Sequence, residues 1–316
     1  MKQTIFLTGH RKSGTTLLKS LLDGHPNISS YPTDLTLMYS YFPHVKFKKY
    51  SKTILVKKIL FDVLHSLQLV NKYTKYKKND LYRFKTQLKK KLNNINLLSE
   101  KKVLNTVINC WKYYFKIEKK SYLLLKETTQ SMNYKLLRKI FPNVKIIQII
   151  RDPRDNYSSL KSGFTKYYKK IGYQKEELIL SAVFRIKNDL KFARILKNKN
   201  FFLCIKYENL VKNTKIEMKK IINFLGLKNN KFEIKPTISN KTYYGNNFNK
   251  KLFGISSKNV KRWKQRISKQ EEDFINFYLE EEIKFWKYPL IKRYDLSNVK
   301  ETYENINSKL FFKSKK

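Results

Sequence analysis

The sequence predicts an α/β fold in which a parallel sheet is flanked by helices. Short apolar runs bounded by turn residues are typical of strands buried in a parallel sheet. Segments with helical spacing separate most of these runs, which indicates β-α-β crossovers in an open sheet. A glycine-bounded loop between the first strand and the first helix fits the same architecture. The five predicted strands are Thr4–Thr8, about 28–31, Tyr122–Leu125, Val144–Ile150 and Phe201–Ile205.

The stretch 42–120 departs from this alternation. Its apolar residues recur at helical spacing, first from Ile54 to Leu67 and again from Val103 to Trp111. We therefore expect a helical insertion within a single domain at 1–290, followed by a basic C-terminal tail at 291–316. Two roles stay open for the insertion, which either contributes to substrate binding or caps the fold with a solvated basic face.

The charge of the chain is strongly positive. It has 69 Lys and Arg against 24 Asp and Glu, a formal net charge of +45 among 316 residues. Such a charge raises nucleic acid or an anionic membrane as a partner. The lysines are spread along the whole chain, however, and Asn, Ile and Tyr are abundant beside them. We expect compositional drift together with a polyanionic ligand, with nucleic acid disfavoured and peripheral contact with an anionic membrane left open.

Cysteine usage and hydropathy exclude several classes of protein. The two cysteines, Cys110 and Cys204, form no CxxC pair, so a disulfide framework and a zinc site are not expected. We expect no metal ligand set at all. No apolar run approaches the roughly 18 residues of a membrane span, and Met1 leads into a strand without a signal-peptide pattern. These features predict a cytoplasmic protein.

A phosphate-binding loop is predicted after the first strand. The segment Gly9–Thr16 reads GHRKSGTT and runs into an apolar helical stretch. Glycines allow a tight turn, backbone amides point inward, and the helix N-terminus favours an anion. An ordinary P-loop has the pattern G-x-x-x-x-G-K-[ST], in which the lysine reaches the β- and γ-phosphates. Here Thr15 occupies the lysine position and Lys12 lies inside the loop, so ATP hydrolysis is disfavoured.

A second anion-binding motif follows the fourth predicted strand. Arg151 stands at the carboxyl end of that strand, where ligands bind in open α/β sheets. Asp152 suits the N-cap of the next helix and Pro153 its first turn. Ser159 lies eight residues after Arg151, about two helical turns, on a face that can look back toward it.

The two motifs together resemble those of sulfotransferases that use 3′-phosphoadenosine-5′-phosphosulfate (PAPS), of the bacterial and carbohydrate type. The segment Arg11–Leu18, with His25-Pro26 after it, is similar to the family's 5′-phosphosulfate loop. Arg151 and Ser159 resemble the arginine and serine that hold the ribose 3′-phosphate. The resemblance implies a P-loop nucleoside triphosphate hydrolase-like fold and PAPS as the sulfuryl donor, with adenosine 3′,5′-bisphosphate (PAP) as its product.

Two weaker resemblances extend the implied donor site. Lys206–Leu210 is similar to a tyrosine–glutamate–x–leucine step of the family, which makes Tyr207 a candidate neighbour of the nucleotide. The segment 254–264 resembles the family's C-terminal nucleotide loop, and Lys250 and Lys251 just before it are candidates for the 3′-phosphate. The donor-binding residues implied are Arg11, Lys12, Ser13, Gly14, Thr15, Thr16, Arg151, Ser159, Tyr207, Lys250 and Lys251.

The resemblance also implies catalytic roles. Lys12 is the candidate that meets the leaving oxygen, while backbone amides of residues 13–16 hold the phosphosulfate. Small-molecule sulfotransferases place a histidine after the third strand, but none of the four histidines here lies in that region. Glu127 follows that strand in Lys126-Glu127-Thr128-Thr129, which is similar to a glutamate–lysine–threonine–proline step of the family. It is the candidate general base.

Alternatives and the acceptor stay open. The rivals are a P-loop nucleotide kinase-like enzyme, a basic nucleic-acid-binding module, and a sulfotransferase fold without catalysis. The acceptor is a hydroxyl or amine of a small metabolite, saccharide, lipid or protein tyrosine. The glutamate at 127 and the missing histidine favour a saccharide or lipid-linked saccharide.

Overall fold

The protein is built on a parallel five-stranded sheet in the order β2-β3-β1-β4-β5. The computed structural model describes residues 3–38, 50–171, 174–227, 233–245, 255–290 and 294–311. All neighbouring strands run parallel, with Gln3 opposite Tyr122 and Ile146 opposite Phe202. The sheet strands are β1 Gln3–Thr8, β2 Ile28–Ser30, β3 Tyr122–Lys126, β4 Lys145–Ile150 and β5 Phe202–Lys206; β6 Thr237–Ile238 and β7 Lys241–Thr242 form a small antiparallel pair. The predicted α/β class and its five strands are confirmed.

Helices cover both faces of the sheet. The described helices are α1 Thr15–Asp23, α2 Lys52–Leu69, α3 Asn71–Thr74, α4 Lys78–Asn93, α5 Glu100–Tyr114, α6 Tyr134–Ile140, α7 Pro153–Lys161, α8 Lys175–Leu196, α9 Tyr207–Lys212, α10 Thr214–Leu225, α11 Lys269–Tyr278, α12 Glu280–Phe285 and α13 Leu296–Phe311. Side chains alternate along β1, so Ile5 and Leu7 pack with α1 and α10 while Phe6 joins the larger core on the opposite face. This alternation of fully buried residues explains why the strands read as continuous apolar runs.

The region between β2 and β3 is helical, as the periodicity predicted. Ser51 caps α2 by accepting a hydrogen bond from the Ile54 amide, and Ser99 caps α5 in the same way. The buried faces of α2, α4 and α5 join the larger core. The segment predicted as a tail contains α13, whose Val299 also packs into that core. None of the helices in the described ranges combines the length and apolarity needed to cross a membrane.

Candidate active site

The loop between β1 and α1 has the backbone geometry of an anion cradle. Three of its residues have positive φ: 142° at Gly9, 66° at Lys12 and 108° at Gly14. A Cβ on Gly14 would lie 2.5 Å from Cδ2 of Tyr207, so only glycine lets the Tyr207 ring pack against the loop. The turn is closed by the Ser13 amide, which donates to the His10 carbonyl at 3.1 Å.

Helix α7 holds the loop in place. The Asn156 side-chain amide donates to the Arg11 carbonyl at 2.7 Å, and its Oδ1 lies 2.5 Å from Nδ1 of His10. Burial lowers the pKa of His10 to about 4, so the imidazole is neutral at physiological pH and donates through Nδ1. His10 and Asn156 therefore act as structural supports of the loop.

Arg151, at the carboxyl end of β4, joins two loops. Its Nη1 donates to the Lys12 carbonyl at 3.0 Å and its Nη2 to the Asn259 carbonyl at 2.6 Å. The guanidinium also lies 4.5 Å from the centre of the Tyr207 ring. The buried Nε of Arg151 and the buried Oγ of Ser13 have no hydrogen-bond partner among the residues that the structure describes. Two orphaned polar atoms beside an amide-lined loop fit an anionic ligand.

Asp155 on α7 anchors the segment 255–266. Its carboxylate accepts hydrogen bonds from the backbone amides of Lys261, at 2.6 Å, and Trp263, at 2.9 Å. The neighbouring Arg154 guanidinium lies 4.4 Å from the Trp263 ring centre. Burial raises the pKa of Asp155, an effect that Arg151 and the two amides oppose. The first turn of α7 thus supports both the phosphate loop and this segment.

Two carboxylates lie near the carboxyl end of β3. Lys126 donates to the Thr16 hydroxyl at 3.0 Å and pairs with Asp34 at 2.5 Å. The Asp34 side chain is 37% exposed. Glu127 is only 2% exposed, and its Oε2 accepts a hydrogen bond from the Met38 amide at 3.1 Å. Asp34 therefore presents its carboxylate more openly than Glu127 does.

These elements enclose one cavity of about 400 Å³. Six cationic side chains line it against three carboxylates, which makes it a site for anions. The cations are Arg11, Lys12, Lys126, Arg151, Arg262 and Arg266, and the carboxylates are Asp34, Glu127 and Asp155. Burial, together with repulsion from Lys126 and Arg151, lowers the pKa of Lys12 to about 8. Tyr167, Tyr168 and Tyr243 line the cavity as well.

Most of the predicted site residues meet at this cavity. Those that line it are Arg11, Lys12, Gly14, Thr15, Thr16, Glu127, Arg151, Ser159 and Tyr207. Ser13 forms part of the loop with its hydroxyl buried. Lys250 and Lys251 lie outside the described residues. Their individual roles stay predictions.

Sequence reasoning missed several lining residues. Asp34, Lys126, Asp155 and Arg266 were not among the candidates, although Arg262 lies in the segment compared with the nucleotide loop. Asp155 lies four residues after Arg151, in the first turn of α7, and its place at that helix start could have indicated it. Asp34 follows β2 in a loop without a regular pattern, so no comparable signal was available.

Comparison with known proteins identifies the class. A model of the sulfotransferase family matches residues 4–231, more than two thirds of the chain. The chain therefore belongs to the sulfotransferase family. A search of curated proteins finds no match.

Solved structures agree with this family in fold. The chain is similar to the sulfotransferase domain of the Synechococcus PCC 7002 olefin synthase, at 17% identity and a TM-score of 0.56, covering 92% of this chain and 96% of that one. The sulfotransferase domain from the curacin biosynthetic pathway gives 19% identity and a TM-score of 0.56, covering 92% and 99%. Mouse sulfotransferase SULT7A1 complexed with PAP gives 15% identity and a TM-score of 0.50, covering 92% and 90%. The predicted P-loop nucleoside triphosphate hydrolase-like fold is confirmed.

Proposed function

We propose that this sulfotransferase moves a sulfuryl group from PAPS to a hydroxyl or amine acceptor. The observation that carries the proposal is the cavity in which the phosphate loop and Arg151 meet, with the Ser13 hydroxyl and the Arg151 Nε unpaired among the described residues. PAPS carries a phosphosulfate at its 5′ position and a phosphate at its 3′ position, and the cavity is lined by cations of the phosphate loop and by Arg151. The mouse structural neighbour was crystallised with PAP, which supports the same donor here.

The donor is held by residues from three segments. Amides of residues 13–16 and the Thr15 and Thr16 hydroxyls surround the 5′-phosphosulfate at the N-terminus of α1. Arg151 and Ser159 serve the 3′-phosphate, with Arg262 and Arg266 adding charge from the segment 255–266. Because both Nη atoms of Arg151 already bind carbonyls, its contribution to the phosphate comes from Nε and from its charge.

Transfer requires stabilisation of the leaving oxygen and removal of the acceptor proton. PAPS supplies the sulfuryl group; the acceptor oxygen or nitrogen bonds to sulfur as the bond from sulfur to the 5′-phosphate oxygen breaks. The Lys12 ammonium stabilises the charge that develops on that oxygen. A carboxylate takes the proton of the acceptor, so the acceptor leaves as a sulfate ester or sulfamate.

Two carboxylates compete for the role of base. Glu127 is the residue that the sequence favours, and it lines the cavity. Its low exposure and its bond to the Met38 amide indicate a largely supporting role. Asp34 lines the same cavity with a more exposed carboxylate, paired to the lysine that contacts Thr16 of the phosphate loop. We favour Asp34 on this geometry, with Glu127 as the second candidate.

A saccharide or lipid-linked saccharide remains the favoured acceptor. Tyrosine rings such as Tyr167 and Tyr243 line the cavity, and aromatic faces pack well against the apolar faces of sugar rings. A small hydroxylated metabolite would use the same walls.

Thermal shift and transfer assays test the proposal together. PAP should raise the melting temperature in a concentration-dependent way, while ATP should raise it much less, because Thr15 replaces the P-loop lysine. Incubation with PAPS labelled in its sulfuryl group and a panel of saccharide, lipid and phenolic acceptors should then give a labelled product. A larger shift with ATP would favour a kinase-like enzyme. A PAP shift without transfer to any acceptor, in the panel or in a cell extract, would indicate a retained fold without catalysis.

A further inference from the structure

The outer face of α2 carries bulky apolar side chains among lysines. We define this α2 outer face as Ile54, Lys57, Lys58, Phe61, His65 and Leu69, all of which are exposed. Ile54 is 46% exposed, Phe61 68% and Leu69 65%, and the three recur every two turns along the helix. The opposite side of α2, including Leu55 and Ile59, is buried in the core. Among the described residues, these exposed apolar side chains therefore take no part in packing the core.

The surroundings of this face are strongly basic. Residues 50–120 contain 18 Lys and Arg against four Asp and Glu. Most of these cations cannot be neutralised within the segment, even if every acid is paired. Lys52 at the start of α2 donates to the Asn93 carbonyl at the end of α4, so the basic end of α4, with Lys89 and Lys90, lies beside the first turn of α2.

We propose that the α2 outer face docks this protein on an anionic membrane surface. Lysines near such a surface are attracted by its negative potential, and bulky apolar side chains between them gain by entering the boundary between headgroups and acyl chains. Nucleic acid attracts the lysines equally well but offers nothing to exposed Ile54, Phe61 and Leu69. The combination of charge and exposed apolar area is what favours a lipid surface.

The position of α2 makes such docking consequential. The chain passes from Leu69 into α3, where the Tyr73 ring lies 5.7 Å from the ring of Tyr243. Tyr243 lines the cavity. The C-terminal end of α2 is therefore connected through α3 to a residue that lines the cavity. The docking itself does not depend on the proposed reaction.

Vesicle flotation tests the surface, because the chain offers a matched control. Helix α10 also carries an exposed apolar residue, Ile216, between the exposed lysines Lys215 and Lys219. The full chain and its variants would be mixed with vesicles of phosphatidylcholine containing phosphatidylglycerol, or with phosphatidylcholine alone. Melting temperatures verify that each variant is folded.

The wild type should float with the anionic vesicles and not with the neutral ones. Phe61→Ser with Leu69→Ser should lower the partition coefficient at least about tenfold, whereas Ile216→Ser should leave it unchanged. Lys57→Glu with Lys58→Glu should lower it at least about 25-fold, since each lysine near an anionic surface contributes about fivefold. Lys215→Glu with Lys219→Glu should have a much smaller effect.

Three results would overturn the proposal. The wild type fails to float with anionic vesicles; the α2 and α10 charge variants lose binding equally, which indicates unspecific attraction; or the apolar α2 variant binds as the wild type does. Labelled duplex DNA serves as a parallel arm. Binding to DNA without binding to vesicles would assign the basic surface to nucleic acid instead.

Discussion

The two ends of the cavity are built differently. At the donor end, side chains of α7 and of Arg151, the residue after β4, bond to backbone atoms. Asn156 bonds to the phosphate loop, Arg151 to that loop and to Asn259, and Asp155 to the amides of 261 and 263. At the proposed acceptor end, Asp34 lies in the loop after β2, Tyr167 in a short helical turn after α7 and Tyr243 after β7. Side chain–backbone bonds fix one geometry for one donor. Side chains on connecting segments can be substituted with little effect on the scaffold, so the choice of acceptor can change without disturbing the donor site.

The largest effect is expected at the donor end, on replacing Lys12. Lys12→Ala removes the ammonium proposed to meet the leaving oxygen, and kcat should fall about 10²- to 10³-fold. The measurement is transfer of labelled sulfuryl group under saturating PAPS. PAP should still raise the melting temperature, because the loop amides and Arg151 remain.

Lys258→Ala is the matched control for that substitution. Lys258 is an exposed lysine of the segment 255–266, and its loss should leave kcat within about twofold of the wild type. If Lys12→Ala and Lys258→Ala behave alike, the loop lysine has no chemical role and the donor end serves binding alone.

The next largest effect separates the two carboxylates. Asp34→Asn should lower kcat about 10²-fold with little change in PAP affinity, because a general base contributes in this range and Asp34 lies away from Arg151 in the proposed donor arrangement. Glu127→Gln should lower stability modestly and leave kcat nearly unchanged, because the amide oxygen can still accept from the Met38 N–H but the bond loses its charge assistance. Steady-state kinetics and melting curves of both variants supply the comparison. If Asp34→Asn is active while Glu127→Gln is stable but inactive, Glu127 and not Asp34 is the general base.

The contrast between the two ends also explains what the sequence could predict. The phosphate loop and the Arg151 segment are local patterns, in which a glycine, a cap and a strand end fix the geometry within a few residues. Asp34 and Arg266 carry no such pattern, because only the β2-β3-β1-β4 order of the sheet and the docking of 255–266 on α7 bring them to the cavity. The periodicity predicted the helices of the insertion. It did not predict which of their apolar residues are exposed, because that depends on how the helices pack in three dimensions.

A smaller effect is expected on loosening the segment 255–266. In Asp155→Asn the amide nitrogen cannot accept one of the two backbone N–H groups, so the segment loses an anchor while the side chain keeps its shape. The Kd of PAP should rise about tenfold, as expected from the loss of one charge-assisted hydrogen bond. The KM of the acceptor should stay unchanged, because the segment serves the donor end.

Glu271→Gln is the comparison for that variant. Glu271, on α11, accepts hydrogen bonds at 2.7 and 2.6 Å from Tyr157 and Lys161, which lie on α7 like Asp155. Glu271 does not line the cavity. Calorimetry should show a lower stability with an unchanged PAP affinity. Equal losses of affinity in both variants would mean that α7 stability in general, and not the Asp155 anchor, sets donor binding.

The smallest effect concerns the pH dependence of the donor end. Burial and the neighbouring Lys126 and Arg151 lower the pKa of Lys12 to about 8 in the free protein. The value of kcat/KM for PAPS, which reports the free enzyme, should therefore fall as the pH rises through 8, by about fivefold between pH 8 and pH 9. The anionic donor favours the ammonium, so kcat should hold to higher pH than kcat/KM does. In Lys12→Arg the guanidinium stays charged, and this limb of the profile should disappear at a lower overall rate. If the decrease above pH 8 persists in Lys12→Arg, the titrating group is not Lys12.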